Sequence, residues 1–96
     1  MRCHMTIYKD NAKIFKAFCD EKRLKIIELL TNGEKCACVL LENLDLTQSG
    51  LSYHMKILID SGVIISRQDG RWTYYQISET GKNNAIKQLI AITKNK

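Results

Sequence analysis

The periodicity of this chain changes once and sharply, near residue 63, and that change limits what it can fold into. Downstream of it, Val63–Arg67 and Arg71–Ile77 are β-prone runs separated by Gln68-Asp69-Gly70. An Asp-Gly between two such runs is a strong short-range hairpin signal. From Glu79 a helical pattern resumes and carries Ala85, Ile86, Leu89, Ile90 and Thr93. Upstream, every apolar pattern is helical, so the spacing predicts a mostly α fold with one β-hairpin.

Four helices are predicted before the hairpin. Tyr8, Ala12, Phe15 and Phe18, with Ile14 alongside, recur at helical spacing in the first, from about Tyr8 to Phe18. Asp20 is a good cap for a second helix reaching Leu30, with Leu24, Ile27 and Leu30 facing inward and Gly33 as its stop. A short third helix covers roughly Ala37–Asn43, and Asp45-Leu46-Thr47 reads as a tight turn. Thr47 then caps a fourth helix, Gln48 to about Asp60, with Leu51, Met55 and Leu58 on its buried stripe. The 96 residues hold no repeat, linker or proline, so residues 1–96 are expected to form one domain.

A short helix, a turn and a longer helix with a polar face make a helix–turn–helix, whose second helix enters the major groove of DNA. Gln48, Ser49, Ser52, Tyr53 and Lys56 fall on the exposed side of the fourth helix. Gln can pair with an adenine edge, Ser with bases or phosphate, and Lys56 with a phosphate. Gly50 lets the helix start come close to the nucleic-acid backbone. The hairpin supplies a wing, with Arg67 and Arg71 flanking its tip within reach of phosphates or the minor groove. Net charge is +5, from 15 Lys and Arg against 10 Asp and Glu, which suits an anionic partner. Residues 47–77 contain only Lys56, Arg67 and Arg71 against Asp60 and Asp69, so DNA binding rests on the polar face more than on local charge. The same fold also serves protein–protein contacts.

No stretch is apolar enough to span a membrane and no signal-peptide core opens the chain, so a cytoplasmic protein with reduced thiols is expected. Four cysteines then point to metal, redox chemistry or burial rather than a disulfide framework. Met1 and Met5 are both candidate starts, and Cys3 and His4 belong to the native chain only under the first. An enzyme is not expected: His4 and His54 are isolated, and no nucleophile–base–orienter set or paired acid–base carboxylates stand out.

Several runs resemble the ArsR/SmtB repressors. Glu21–Leu30 (EKRLKIIELL) is similar to their second helix, and Leu46–Leu58 (LTQSGLSYHMKIL) to their recognition helix. Ser61-Gly62-Val63-Ile64 and Gly70-Arg71-Trp72-Thr73-Tyr74-Tyr75 are similar to the start of the family's wing and its second strand. The likeness spans roughly residues 12–78 in order. It implies a homodimeric winged-helix repressor on double-stranded operator DNA, released by an inducer. His54 stands where the family often has His, as a packing, phosphate-contact or base-reading residue.

Cys36-Ala37-Cys38 stands where the family's arsenic and soft-metal sensors carry Cys-x-Cys, at the start of the third helix. Thiolates select thiophilic ions such as As(III), Sb(III), Cd(II) or Pb(II), the inducers implied here; no permanently bound cofactor is expected. In a regular helix residues two apart point about 200° from each other, so the pair can share an ion only if Cys36 precedes the helix or binding unwinds its first turn. Proximity to a helix start is expected to lower the thiol pKa. Relatives often have a third cysteine where this chain has Leu41, and Cys3 is the substitute ligand the resemblance suggests; Cys19 reads as a small buried residue. The last helix has no His or Cys and only Glu79 among carboxylates, so the zinc or nickel site that many relatives build across paired C-terminal helices is not expected. Its apolar stripe reads as part of a dimer interface with the first helix, or as packing on its own core. Two other functions stay open: a repressor switched by thiol oxidation or persulfidation, and a metal-binding or protein-interaction module without an operator.

Overall fold

The computed structural model describes residues 4–95. Its helices are α1 (His4–Lys16), α2 (Glu21–Leu29), α3 (Ala37–Asn43), α4 (Gln48–Asp60) and α5 (Glu79–Thr93), with strands β1 (Lys35–Cys36), β2 (Ile64–Asp69) and β3 (Trp72–Ile77). This is the winged helix–turn–helix expected from the sequence.

Local chemistry sets most boundaries. Asp20 accepts hydrogen bonds from the Lys22 and Arg23 amides, Thr47 from Gly50, and Ser78 from Gly81, each satisfying a donor that the first turn of a helix leaves free. The wing closes more tightly than the sequence suggests. Its strands are joined by Gly70 and Arg71 alone, and Gly70 takes a φ of +62° while Arg71 keeps an ordinary negative value. A positive φ at only the first of two turn residues fits a type II′ hairpin, where glycine is favoured.

The sheet has three strands in the order β1-β3-β2, all antiparallel. β1 is two residues long, too short to leave a period in the sequence, yet it pairs Lys35 with Tyr75 and Cys36 with Tyr74. The wing is therefore stitched to the segment just before α3.

Ile26, Leu30, Leu40, Met55, Leu58 and Ile64 are fully buried and join α2, α3, α4 and β2 into one core. Each contributes roughly 1.5–3 kcal/mol by leaving water. Of the apolar residues in and just after α1, Ile14 is buried and Phe15 packs against the core, whereas Tyr8 and Phe18 are exposed; Asn11 and Ala17 complete the buried face. Ala17, without a bulky side chain, lets α1 pack closely, and the aromatic stripe is left beside α5. In the second helix Leu30 is buried and Ile27 packs against the core as expected. Arg23 and Ile26 also face inward there, and Leu24 is half exposed.

Candidate functional site

On α4, Gln48, Ser49, Ser52, Tyr53 and Lys56 all lie at exposed positions, while Leu51, Met55 and Leu58 anchor the opposite face in the core. Lys56 makes only a 3.4 Å surface pair with Asp60, one turn on, a contact worth little in water. Its ammonium therefore stays available to an anion.

His54 differs in burial from the other candidates on α4. It is 9% exposed, and its Nδ1 accepts a 2.9 Å hydrogen bond from Arg23 Nη1. Arg23, itself 5% exposed, also donates from Nε and Nη2 to the Lys16 carbonyl. That carbonyl, at the end of α1, also accepts from the Cys19 amide. A single guanidinium thus ties the end of α1 to the recognition helix through His54. Arginine is almost never buried unless paired, so only this three-way arrangement, invisible in the sequence, reveals it.

The two wing arginines differ. Arg71 occupies the turn, with its guanidinium over the Trp72 ring at 5.5 Å. Arg67 lies opposite Tyr74 on β2, three residue pairs into the strands from the turn. It is held by a bidentate pair with Glu34 (2.8 and 2.7 Å) and sits 4.5 Å from the centre of the Tyr74 ring. Arg67 is thus braced within the wing by Glu34, with its side chain still half exposed. Arg67 holds the Glu34 carboxyl below the usual carboxylate range. A carboxylate with a lowered folded pKa adds stability above its unfolded pKa and loses it as pH falls through the folded one. Glu34→Gln is accordingly expected to flatten part of the loss of thermal stability as pH falls through the acid range below the ordinary carboxylate pKa. An identical pH dependence in the two proteins would contradict the brace.

The thiol pair stands at the junction of β1 and α3. Cys36 is the residue before α3, in extended backbone (φ −68°, ψ 148°), and its side chain makes no capping bond. Cys38 lies in the first turn, and the two Sγ atoms are 2.8 Å apart. Because Cys36 precedes the regular helix, the thiols point to one place. The expected lowering of the thiol pKa does not hold for Cys38. Its hydrogen bond with Cys36, burial and the Cys36 charge raise it, and they outweigh the Val39 amide. Two sulfurs this close do not both ionise cheaply.

Both cysteines line a groove of about 180 Å³ with Ala37, Leu41, Gln48, Arg71, Trp72 and Thr73. The start of the recognition helix and the wing turn thus form one wall of the thiol site. Trp72 and Thr73 went unmarked in the sequence, where the only signal was a lone Trp beside Arg71 in a hairpin turn. No group of three or more His, Cys, Asp and Glu placed to hold a metal ion occurs among the described residues. Cys3 lies outside them. Cys19 is exposed rather than buried, and Cys19, Cys36 and Cys38 are unbridged.

Away from the thiols, Phe15 and Phe18 of α1 and Ala85, Ile86 and Leu89 of α5 line an apolar groove. Ile90 and Ile92 extend exposed apolar surface along α5. No helix among the described residues is long and apolar enough to cross a membrane.

The chain is similar to known proteins in sequence and in fold. The family model described as bacterial regulatory protein, arsR family, matches residues 20–66. The arsenical resistance operon repressor of Staphylococcus aureus is 40% identical over 82 residues, which is 85% of this chain and 79% of that protein. The arsenical resistance operon repressor of Bacillus subtilis is 43% identical over 75 residues, 77% of this chain and 71% of that protein. Among solved structures, an ArsR-like transcriptional regulator from Rhodococcus sp. RHA1 is similar with a TM-score of 0.78 and 25% identity, covering 92% of this chain and 81% of that one.

Proposed function

This chain belongs to the ArsR family of bacterial regulatory proteins, transcriptional repressors rather than enzymes, and from that premise we propose that it is an operator-binding homodimer released when Cys36 and Cys38 capture arsenite or another thiophilic ion. The observation that carries the reading is the convergence of two thiols at 2.8 Å on a groove whose far wall belongs to the DNA-reading elements. Similarity to arsenical resistance operon repressors favours As(III) among the soft ions.

The donor set fits such an ion. Arsenite, As(OH)3, reacts with two thiols so that two As–S bonds form and two As–O bonds break. Each thiol proton leaves with a hydroxide as water, and no oxidation occurs. One hydroxide remains, since Leu41 stands where a third thiol would be; Cys3 is the remaining thiol candidate for that position. Sb(III), Cd(II) and Pb(II) suit the same sulfurs by softness.

On DNA, Gln48, Ser49, Ser52 and Tyr53 face the major groove, Lys56 a phosphate, and Arg71 the flanking backbone or minor groove. The dimer forms through α1 and α5, where the groove at Phe15, Phe18, Ala85, Ile86 and Leu89 awaits an apolar partner. The elongated chain supports this. Its radius of gyration is 14.5 Å, against about 12.5 Å for a compact domain of this length.

The experiment is retardation of the DNA upstream of its own gene across a salt series. Lys56→Ala is expected to weaken binding to all sequences and to reduce the salt slope by about 1. Gln48→Ala is expected to cost about 1–3 kcal/mol on the operator and little on random DNA. Wild-type protein that retards neither DNA at low salt sinks the reading.

A second reading has the same support. Thiols this close can be oxidised by a peroxide, the S–S bond forming as the O–O bond breaks and two waters leave. Release by peroxide but not by arsenite would favour it.

A further inference from the structure

The thiol site meets the DNA-reading surface in two places. Through β1, Cys36 is paired with Tyr74 of the wing strand β3. Through the groove, Cys36 and Cys38 face Arg71, Trp72 and Thr73 of the wing and Gln48 at the start of α4. The wing is also fastened from the same side, because Glu34, two residues before Cys36, grips Arg67 on β2 across the intervening strand.

An ion held by both sulfurs sits in the groove between α3 and the wing turn, against the wall formed by Arg71, Trp72 and Thr73. Cys38 is built into α3, which packs on the core through the fully buried Leu40. Cys36 lies in a two-residue strand whose pairing partner is the wing. The more weakly anchored side is therefore the wing side, and the groove that the ion enters is walled by the wing turn.

We propose that the wing is the moving part of induction: ion capture at Cys36 and Cys38 displaces the β2–β3 turn through the β1–β3 pairing and the shared groove, and withdraws Arg71 from DNA. This rests on the thiol-sensor reading above and adds the route of the signal. Arg71 is then the residue whose DNA contact the inducer removes, while the contacts of Lys56, farther along α4, survive in the weakened complex.

The test is a double-mutant-type cycle on full-length protein: operator affinity of wild type and Arg71→Ala, each without and with saturating arsenite. Trp72 is the only tryptophan and lines the groove, so its fluorescence reports arsenite binding in both proteins independently of DNA. Arg71→Ala is expected to bind operator more weakly than wild type without arsenite, and to be weakened by arsenite by a factor at least threefold smaller. Equal factors in the two proteins overturn the proposal, because the ion then acts without the wing contact. So does an Arg71→Ala protein as tight as wild type, since a turn that makes no contact cannot lose one. If wild-type operator binding ignores arsenite, the sensor reading itself fails and this route fails with it. Unequal factors for Lys56→Ala, with equal ones for Arg71→Ala, would place the moving part in α4.

Discussion

Gly81→Ala is expected to destabilise the protein by about 3 kcal/mol, on the order of 15 °C in melting temperature. A Cβ at residue 81 would run into the carbonyl oxygen of Gly62 and lie 3.2 Å from the Val63 amide nitrogen. These are backbone atoms, so no side chain can rotate away. Gly62 has a φ of +84°, a left-handed conformation that resists shifting, and the Ser78 amide is already bonded to the Val63 carbonyl. The first turn of α5 is thus fixed against the loop between α4 and the wing, which sets the direction of the helix proposed to dimerise. Gly50→Ala is the control. Its Cβ would meet Thr47 Oγ1 at 3.2 Å and Leu46 Cδ2 at 3.5 Å, both movable side-chain atoms. There the gain of up to ~1 kcal/mol from alanine's helix propensity offsets the crowding. Thermal denaturation separates the two, and a Gly81→Ala protein melting with wild type would contradict the described seating of α5.

The sequence made α3 and α4 legible almost to the residue, because their limits depend on local chemistry. Thr47 caps α4 with its own hydroxyl, whereas α3 starts where β1 ends, without a side-chain cap. The faces of α1 and α2 were legible only as patterns. Tyr8, Ala12, Phe15 and Phe18 do form an apolar stripe, but whether a stripe meets the core or another surface is decided by tertiary packing. Of that pattern the core took Ile14 and part of Phe15, together with Asn11 and Ala17, and left Tyr8 and Phe18 exposed. Arg23 defeats sequence reasoning more completely, because its burial depends on the Lys16 carbonyl and on His54, which is 31 residues away.

For the site, five exposed positions on α4 follow from helical period alone, and Cys36 and Cys38 from thiol chemistry joined to family resemblance. What the sequence hid was their setting. The Glu34–Arg67 brace joins residues 33 apart, and the β1–β3 pairing leaves no periodic trace. The first of them gives Arg67 a partner within the protein. Together they bring the wing to the thiols.

The largest functional effect belongs to the cysteines. Serine keeps the size of each side chain but supplies a hard hydroxyl, which does not replace a thiolate toward a soft ion. Neither side chain is part of the fully buried core, so Cys36→Ser and Cys38→Ser are expected to fold and to bind operator as wild type does. Losing one of two converging sulfurs leaves a single ligand, and the response should vanish in either variant. Coupling between an inducer and DNA is typically ~1–3 kcal/mol, a loss of affinity of about 5–150-fold.

The most direct measurement is operator affinity titrated with arsenite for wild type, Cys36→Ser and Cys38→Ser at fixed salt. Release of wild type within that range, with both variants still bound, is the predicted result. Wild type that holds its operator at saturating arsenite, or serine variants released as readily as wild type, would contradict a sensor built on Cys36 and Cys38.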